Sequence, residues 1–365
     1  MKSRKDKYFM AFNFFKTTNK HAKLICVVSI CLIFAGMFAG CDKSMNQNKT
    51  QRTVVVYTSV DQVYSEKVFK AYEQETGVKV KPVFDIEANK TVGLVNRIIG
   101  EKSNPQADVF WNGEILQTIV LKESGVLEKA SPENSKNLPA SFIDKDGTWF
   151  GFGGRARVLI FNKTLISKEN CPKTLEDFAN GDNVKKTGIA YPIFGTTATH
   201  AAALYSSWGD TKAKAYYEKL KNAGVVILDG NGVVKDYVSQ KKLVMGLTDT
   251  DDALSEMDKN KDLDILFLDQ GTDQIGNLVI PNTVAKIKGG PNPTEAEKFI
   301  DYLLSVKVEQ ALVDDGWIQI PVNKGLSNVS PVVTAANIKM MDVDFNKAFE
   351  SVEKSKTELT AIFIR

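Results

Sequence analysis

The chain has 365 residues, 43% of them apolar and 25% charged, with a formal net charge of +3. That length suits two domains of ordinary size, and the composition excludes both a disordered chain and a multispanning membrane protein. The first forty residues hold seven bases against one acid, so the remainder carries −3, and a weakly acidic body has no electrostatic footprint for nucleic acid.

The amino-terminal segment reads as an address. A basic stretch ends at Lys23, and Leu24 to Ala39 follow without a charge, a run short of the roughly 20 residues of a membrane span but suited to a signal-peptide core. Phe38-Ala39-Gly40-Cys41 resembles the bacterial lipobox, which implies a signal peptide over 1–40, lipidation at Cys41 and an exported, membrane-anchored protein. Cys26 and Cys31 fall inside the apolar run, so the mature body keeps one thiol, Cys171, and no internal disulfide. Residues 41–52 are polar and read as a flexible tether.

From Val54 onward, short β-branched runs alternate with longer amphipathic segments. Val54 to Tyr57 reads as a strand, Ser59 to Thr76 as a helix closed by Gly77, and Val78 to Phe84 as a strand. A helix over 88–100, a strand from Asp108 to Trp111 and a helix from Ile115 to Ser124 complete a first unit with a mainly parallel sheet. Turn-rich residues 131–148 lead to a glycine-interrupted run, Phe150 to Asn162. The second unit has strands at Ile189 to Tyr191, Val225 to Leu228, Leu243 to Thr248 and Ile265 to Leu268. Its helices span Thr199 to Trp208, Lys212 to Asn222, Val233 to Gln240 and Asp252 to Lys259. Thr294 and Glu297 suggest a capping box for a helix from Glu295 to Ser305. A helix from Val308 to Asp314 and a strand-like Trp317 to Val322 follow.

Much catalytic chemistry is excluded. GxxxxGK[ST] and GxSxG motifs are absent, and with His200 the one histidine of the body, multi-histidine metal sites cannot form. Cys171 before Pro172 reads as an inert thiol, and His200 as a structural histidine rather than a base.

Three groups suit a ligand. Tyr57 to Gln62, with Ser59 and Asp61, leaves a strand to open a helix, where free N–H groups favour an anion or polar ligand but also make an ordinary cap. Gly195 to Thr199, with Thr196 and Thr197, is a second such turn. Asp249, Asp251 and Asp252 crowd three carboxylates that repel unless water, a cation or an amine screens them. Arg155 and Arg157, on one face of a strand, suit a bidentate bond to an oxyanion or pairing with acids.

The order Val54-Val55-Val56-Tyr57-Thr58-Ser59, then Ala107 to Trp111, Gly154 to Asn162, Gly246 to Asp251 and Ile280 to Ala285 resembles bacterial ABC-importer solute-binding proteins of the ferric-iron group. The resemblance runs from about Val54 to Val322. It implies an α/β, two-lobed type 2 periplasmic-binding fold with a hinge, lobe one spanning 53–155 plus 277–365 and lobe two 156–276. It also implies a monomeric non-enzyme that hands a small solute, first of all ferric iron, to ABC permease and ATPase subunits. Asp61 stands about where such proteins place a histidine and Glu114 near their glutamate, which with Asp251 implies an all-oxygen site for Fe(III), an arginine holding a synergistic anion. Asp249 to Asp252 occupy the place expected for a tyrosine pair, and Tyr216-Tyr217 lies on an earlier helix. Binders of aminoalkylphosphonates, polyamines and thiamine are similar as well, and a metal-assisted secreted hydrolase using the acidic cluster is a remote alternative.

Overall fold

A computed structural model describes residues 51–85, 92–180, 183–317, 320–326 and 337–364. The signal peptide expected over 1–40, Cys41 and the expected tether up to residue 50 lie outside them. The described elements run β1 (Thr53–Thr58), α1 (Gln62–Thr76), β2 (Lys79–Phe84), α2 (Val92–Gly100), β3 (Val109–Asn112), α3 (Ile115–Glu123), β4 (Leu127–Glu128) and β5 (Trp149–Asn162). Then follow α4 (Leu175–Asn180), β6 (Thr187–Ala190), α5 (Gly195–Trp208), α6 (Asp210–Asn222), β7 (Val226–Leu228), α7 (Asn231–Ser239), β8 (Met245–Asp249), α8 (Thr250–Met257) and β9 (Leu263–Leu266). The last are β10 (Val279–Ile287), α9 (Pro293–Leu303), α10 (Val306–Asp314), α11 (Phe345–Glu350) and α12 (Val352–Ile362).

One mixed sheet carries the order β2-β1-β3-β10-β5-β8-β6-β7, with β4 beside β10 and β9 beside β5. Its two ends are parallel, β1 with β2 and β3, and β6 with β7 and β8. Every pairing made by β5 and β10 is antiparallel, so the expectation of a mainly parallel sheet holds only in the two outer sections. The fourteen residues of β5 are shared between the sections. Trp149 to Ala156 pair with β10, and Arg157 to Asn162 with β8 and β9. The α/β, two-lobed architecture expected from the sequence is thus built around one long crossing strand.

Burial explains why these segments are strands. Val54 and Val56 in β1, and Val158 to Phe161 in β5, are at most 0% exposed, because helices cover the sheet on both sides and leave no face for polar residues. In the first section Phe69 and Trp111 meet edge to face at 5.8 Å, and Trp111 meets Trp317 at the same distance. In the second, Ala201 to Leu204 of α5 are fully buried, and α6, α11 and α12 pack against that helix. Tyr205 of α5 donates to Glu358 of α12 at 2.9 Å, and Tyr217 packs on Phe363, so the carboxy-terminal helix closes over α5 and α6.

Several elements differ from their sequence expectations. α1 begins at Gln62 rather than Ser59, because Ser59 to Asp61 turn the chain out of the sheet. α5 begins at Gly195, four residues early, since its first turn carries threonines that favour strands by propensity. The capping box at Thr294 is not formed. Asn292 is the N-cap, Pro293 opens α9, and Glu297 instead accepts from Lys286 at 3.0 Å. Trp317 and Ile320 to Val322 are not in a strand, and Ile318 and Gln319 lie outside the described residues. Gly154 is required where β5 bends past β10, because a Cβ there would stand 2.7 Å from the Ile280 carbonyl oxygen, beside the register shift at Pro281/Asn282.

Candidate ligand cleft

Parallel strands deliver their carboxyl ends, and the helices that follow them, to the same side. In both sections that side faces a cavity of about 930 Å³ lined from β1–α1 (Ser59, Asp61, Tyr64), β3–α3 (Gly113, Glu114) and β5 (Gly154, Arg155). Gly195 and Thr196 come from the start of α5, Asn231 and Gly232 from that of α7, and Asp249, Asp251 and Asp252 from that of α8. Asp258, Asn282, Asp315 and Trp317 extend the lining. Five helix N-termini therefore converge here, and their partial positive charges explain how so many acids are tolerated together.

Each candidate can be placed. Ser59 Oγ donates to Asn112 Oδ1 at 2.6 Å and accepts from the Gly113 amide at 3.1 Å, which fixes the β1–α1 turn against the β3–α3 turn. Asp61 occupies the N-cap position of α1 and lines the cavity. Glu114 is the N-cap of α3. Its oxygens accept from the Leu116 and Gln117 amides at 3.0 and 3.2 Å, and Thr199 Oγ1 of α5 donates to Oε1 at 3.0 Å. Burial pushes the Glu114 carboxyl up, and these three donors pull against that shift.

The aspartates differ in depth. Asp249 lines the cavity from a buried position, its Oδ1 accepting from Arg157 Nη1 at 2.5 Å and its Oδ2 from Thr196 Oγ1 at 2.5 Å and Asn231 Nδ2 at 3.0 Å. Asp251 stands in front, and its Oδ2 accepts from Arg155 Nη1 at 3.1 Å. One carboxylate oxygen from each of Asp249, Asp251 and Asp252 lies within 4.8 Å of the others. Burial raises the Asp251 carboxyl despite Arg155, and raises Asp252 to about 7, reinforced by repulsion from Asp251 and then Asp249. Burial and the crowding of its neighbours thus favour the protonated form of Asp252.

The two arginines do share a face of β5, and they work at different depths. Arg155 faces the cavity and reaches Gly113 O with Nη2 at 3.0 Å as well as Asp251. Arg157, with its side chain 1% exposed, is paired through Nη1 with Asp249 and does not line the cavity. Thr197 departs from its expected role too. It does not line the cavity but donates to Asn231 Oδ1 at 3.2 Å. Asn231, Tyr64 and Trp317 are among the lining residues that the sequence reading missed, as are Asp258, Asn282 and Asp315. The only signal for Asn231 was the Gly230-Asn231-Gly232 turn, which also describes an ordinary loop.

The discounted residues lie elsewhere. His200 is buried inside α5, where desolvation, aided by the Arg157 charge, drives it down to about 3, so it stays neutral. Cys171 is a free, buried thiol raised to about 11 by burial. Tyr216 and Tyr217 face inward from α6 and are kept protonated by burial, away from the acid cluster. Among the described residues no helix is long and apolar enough to cross a membrane.

Two α/β sections joined by a crossing strand, with a polar cleft at the carboxyl ends of their strands, define a two-lobed binding protein. Residues 67–341 match the family of bacterial extracellular solute-binding proteins, and the chain belongs to it. Its sequence is 26% identical over 255 residues to a Sinorhizobium fredii protein named as an ABC transporter periplasmic-binding protein, covering 68% of this chain and 70% of that one. It is 24% identical over 295 residues to iron uptake protein A1 of Synechocystis, covering 76% and 79%. It is 22% identical over 275 residues to a Salmonella typhi protein named as a 2-aminoethylphosphonate-binding periplasmic protein, covering 74% and 77%. The fold matches a Trichodesmium protein solved in complex with iron and citrate, with a TM-score of 0.75 and 20% identity over 86% of this chain and all of that one. Iron-bound HitA of Pseudomonas aeruginosa shares the fold as well, with a TM-score of 0.71 and 22% identity over 84% of this chain and 99% of that one.

Proposed function

We propose that this protein is the solute-binding component of an ABC import system, anchored outside the cell membrane by lipid on Cys41, and that it delivers a positively charged solute to a permease. The observation that carries this reading is the Asp249–Asp251–Asp252 cluster set into the wall of a cleft between two α/β sections. Carboxylate oxygens are hard ligands, so ferric iron with a synergistic anion suits the cluster, with Asp251 and Asp252 as first ligands and Asp61 on the opposite wall. Asp249 and Glu114, held by protein donors, keep their respective walls in shape. The helix N-termini of α1, α5 and α7 favour the accompanying anion.

A second reading, an aminoalkylphosphonate, is favoured by the acids that stand where the ferric group has its tyrosine pair. Its ammonium group would take the acid cluster and its phosphonate the helix N-termini. Native mass spectrometry of protein purified without chelator, together with absorbance, separates the two. Bound iron without a phenolate charge-transfer band supports the carboxylate site, and a recovered phosphonate rejects iron. A bare protein that binds neither on titration overturns both.

A further inference from the structure

Arg155 leaves β5 at the point where the strand passes from one sheet section to the other, one residue before its pairing changes from β10 to β8. Its guanidinium donates from Nη2 to the Gly113 carbonyl of the first section and from Nη1 to Asp251 of the second. The second oxygen of Asp251 is buried and receives no hydrogen bond from the protein. A guanidinium is permanently charged and its fork reaches two partners at once. The protein therefore already places a positive group in the cation half of its own cleft. Beside it, Thr199 of α5 donates to Glu114 of α3, a second link between the same two walls.

We propose that Arg155 is a tethered counter-cation that stands in for the charge of the solute at Asp251 and clips the two walls together in the ligand-free protein. This rests on the reading of the cleft as a site for a positive solute. The incoming cation then takes over the oxygens that Arg155 holds, and its free energy of binding is reduced by what the clip contributed. Lysine keeps the charge but cannot reach both partners with a planar fork, so charge and bridging are separable.

Hydrogen–deuterium exchange of the ligand-free full chain tests the clip without any knowledge of the solute. Arg155→Gln and Arg155→Lys are both expected to lose protection in segments 112–118 and 250–255 while the strands of the two sections keep theirs. Unchanged exchange in those segments overturns the proposal, as does a loss spread over the whole fold, or a loss in Arg155→Gln that Arg155→Lys fully rescues. Ferric citrate and 2-aminoethylphosphonate are then added separately. Whichever binds wild type is expected to restore protection in Arg155→Gln, and binding without restoration overturns the stand-in role. If neither probe binds wild type, the cation reading of the site fails, while the ligand-free exchange still decides the clip.

Discussion

Arg157 donates to Asp249 at 2.5 Å with both side chains out of water, 1% and 4% exposed, directly behind the acids that face the cleft. Such a pair is a poor source of net stability, yet removing one partner leaves a buried charge uncompensated. Asp249→Ala is therefore expected to destabilise the fold by about 3–5 kcal/mol. Urea unfolding checks this, and Asp249→Ala/Arg157→Leu should recover part of the loss.

The acids in front should act on binding rather than on folding. Asp251→Asn combined with Asp252→Asn removes two charges whose mutual repulsion the empty protein must bear. Isothermal titration with ferric citrate should show at least a tenfold loss of affinity, about 1.4 kcal/mol, while the melting temperature at pH 8 stays equal or rises.

Two titrating groups give opposing pH slopes. His200 is neutral in the fold down to about 3 but protonates near 6.5 when unfolded, so stability falls as pH drops below 6.5. Asp252 keeps its proton in the fold up to about 7 and loses it near 3.8 when unfolded, so stability rises as pH drops through that window. Between pH 6.5 and 4 the slopes offset each other. Asp252→Asn removes one of the opposing contributions, so its stability relative to wild type should fall on acidification by up to about 1.4 kcal/mol per pH unit. Chemical denaturation at half-unit intervals measures it, and His200→Gln should shift stability relative to wild type in the opposite direction over the same range.

Glu309 of α10 is 1% exposed and accepts from three backbone amides, Gly153 at 2.8 Å, Val322 at 3.0 Å and Asn323 at 2.9 Å. It ties β5 near the crossing to the segment after α10. Glu309→Gln replaces one acceptor oxygen with a donor that faces an amide N–H, and a loss of about 1–3 kcal/mol is expected. A denaturant midpoint shift at constant slope would confirm it.

How much of this was readable in the chain differs by kind of signal. The alternation of β-branched runs with amphipathic segments located β1, β3, β6 and β8, because buried parallel strands have no polar face to blur them. The carboxylates of the cleft were legible for the same reason, since residues that follow such strands must emerge at one edge. Depth was not legible. Asp249 and Asp251 both line the cavity and are two residues apart, yet one is clamped by Arg157, Thr196 and Asn231 with its side chain 4% exposed and the other is 39% exposed. That distinction depends on partners 18 to 92 positions away in the chain. α11 and α12 also went unread, because α11 buries its few apolar residues against α5 and α3, and α12 against α5 and α6, rather than along a stripe that their own sequences would announce.

The pleat of β5 meters the separation of Arg155 and Arg157, and strand geometry sends every second side chain the same way. A single residue inserted between Phe152 and Arg155 would turn both guanidiniums to the opposite side of the sheet, stranding Asp249 and emptying the cleft of its internal charge together. Deletions and insertions should thus be survivable in the turn-rich stretch 131–148 and ruinous a few residues later. A library of one-residue length variants, sorted for soluble expression, would draw that boundary directly.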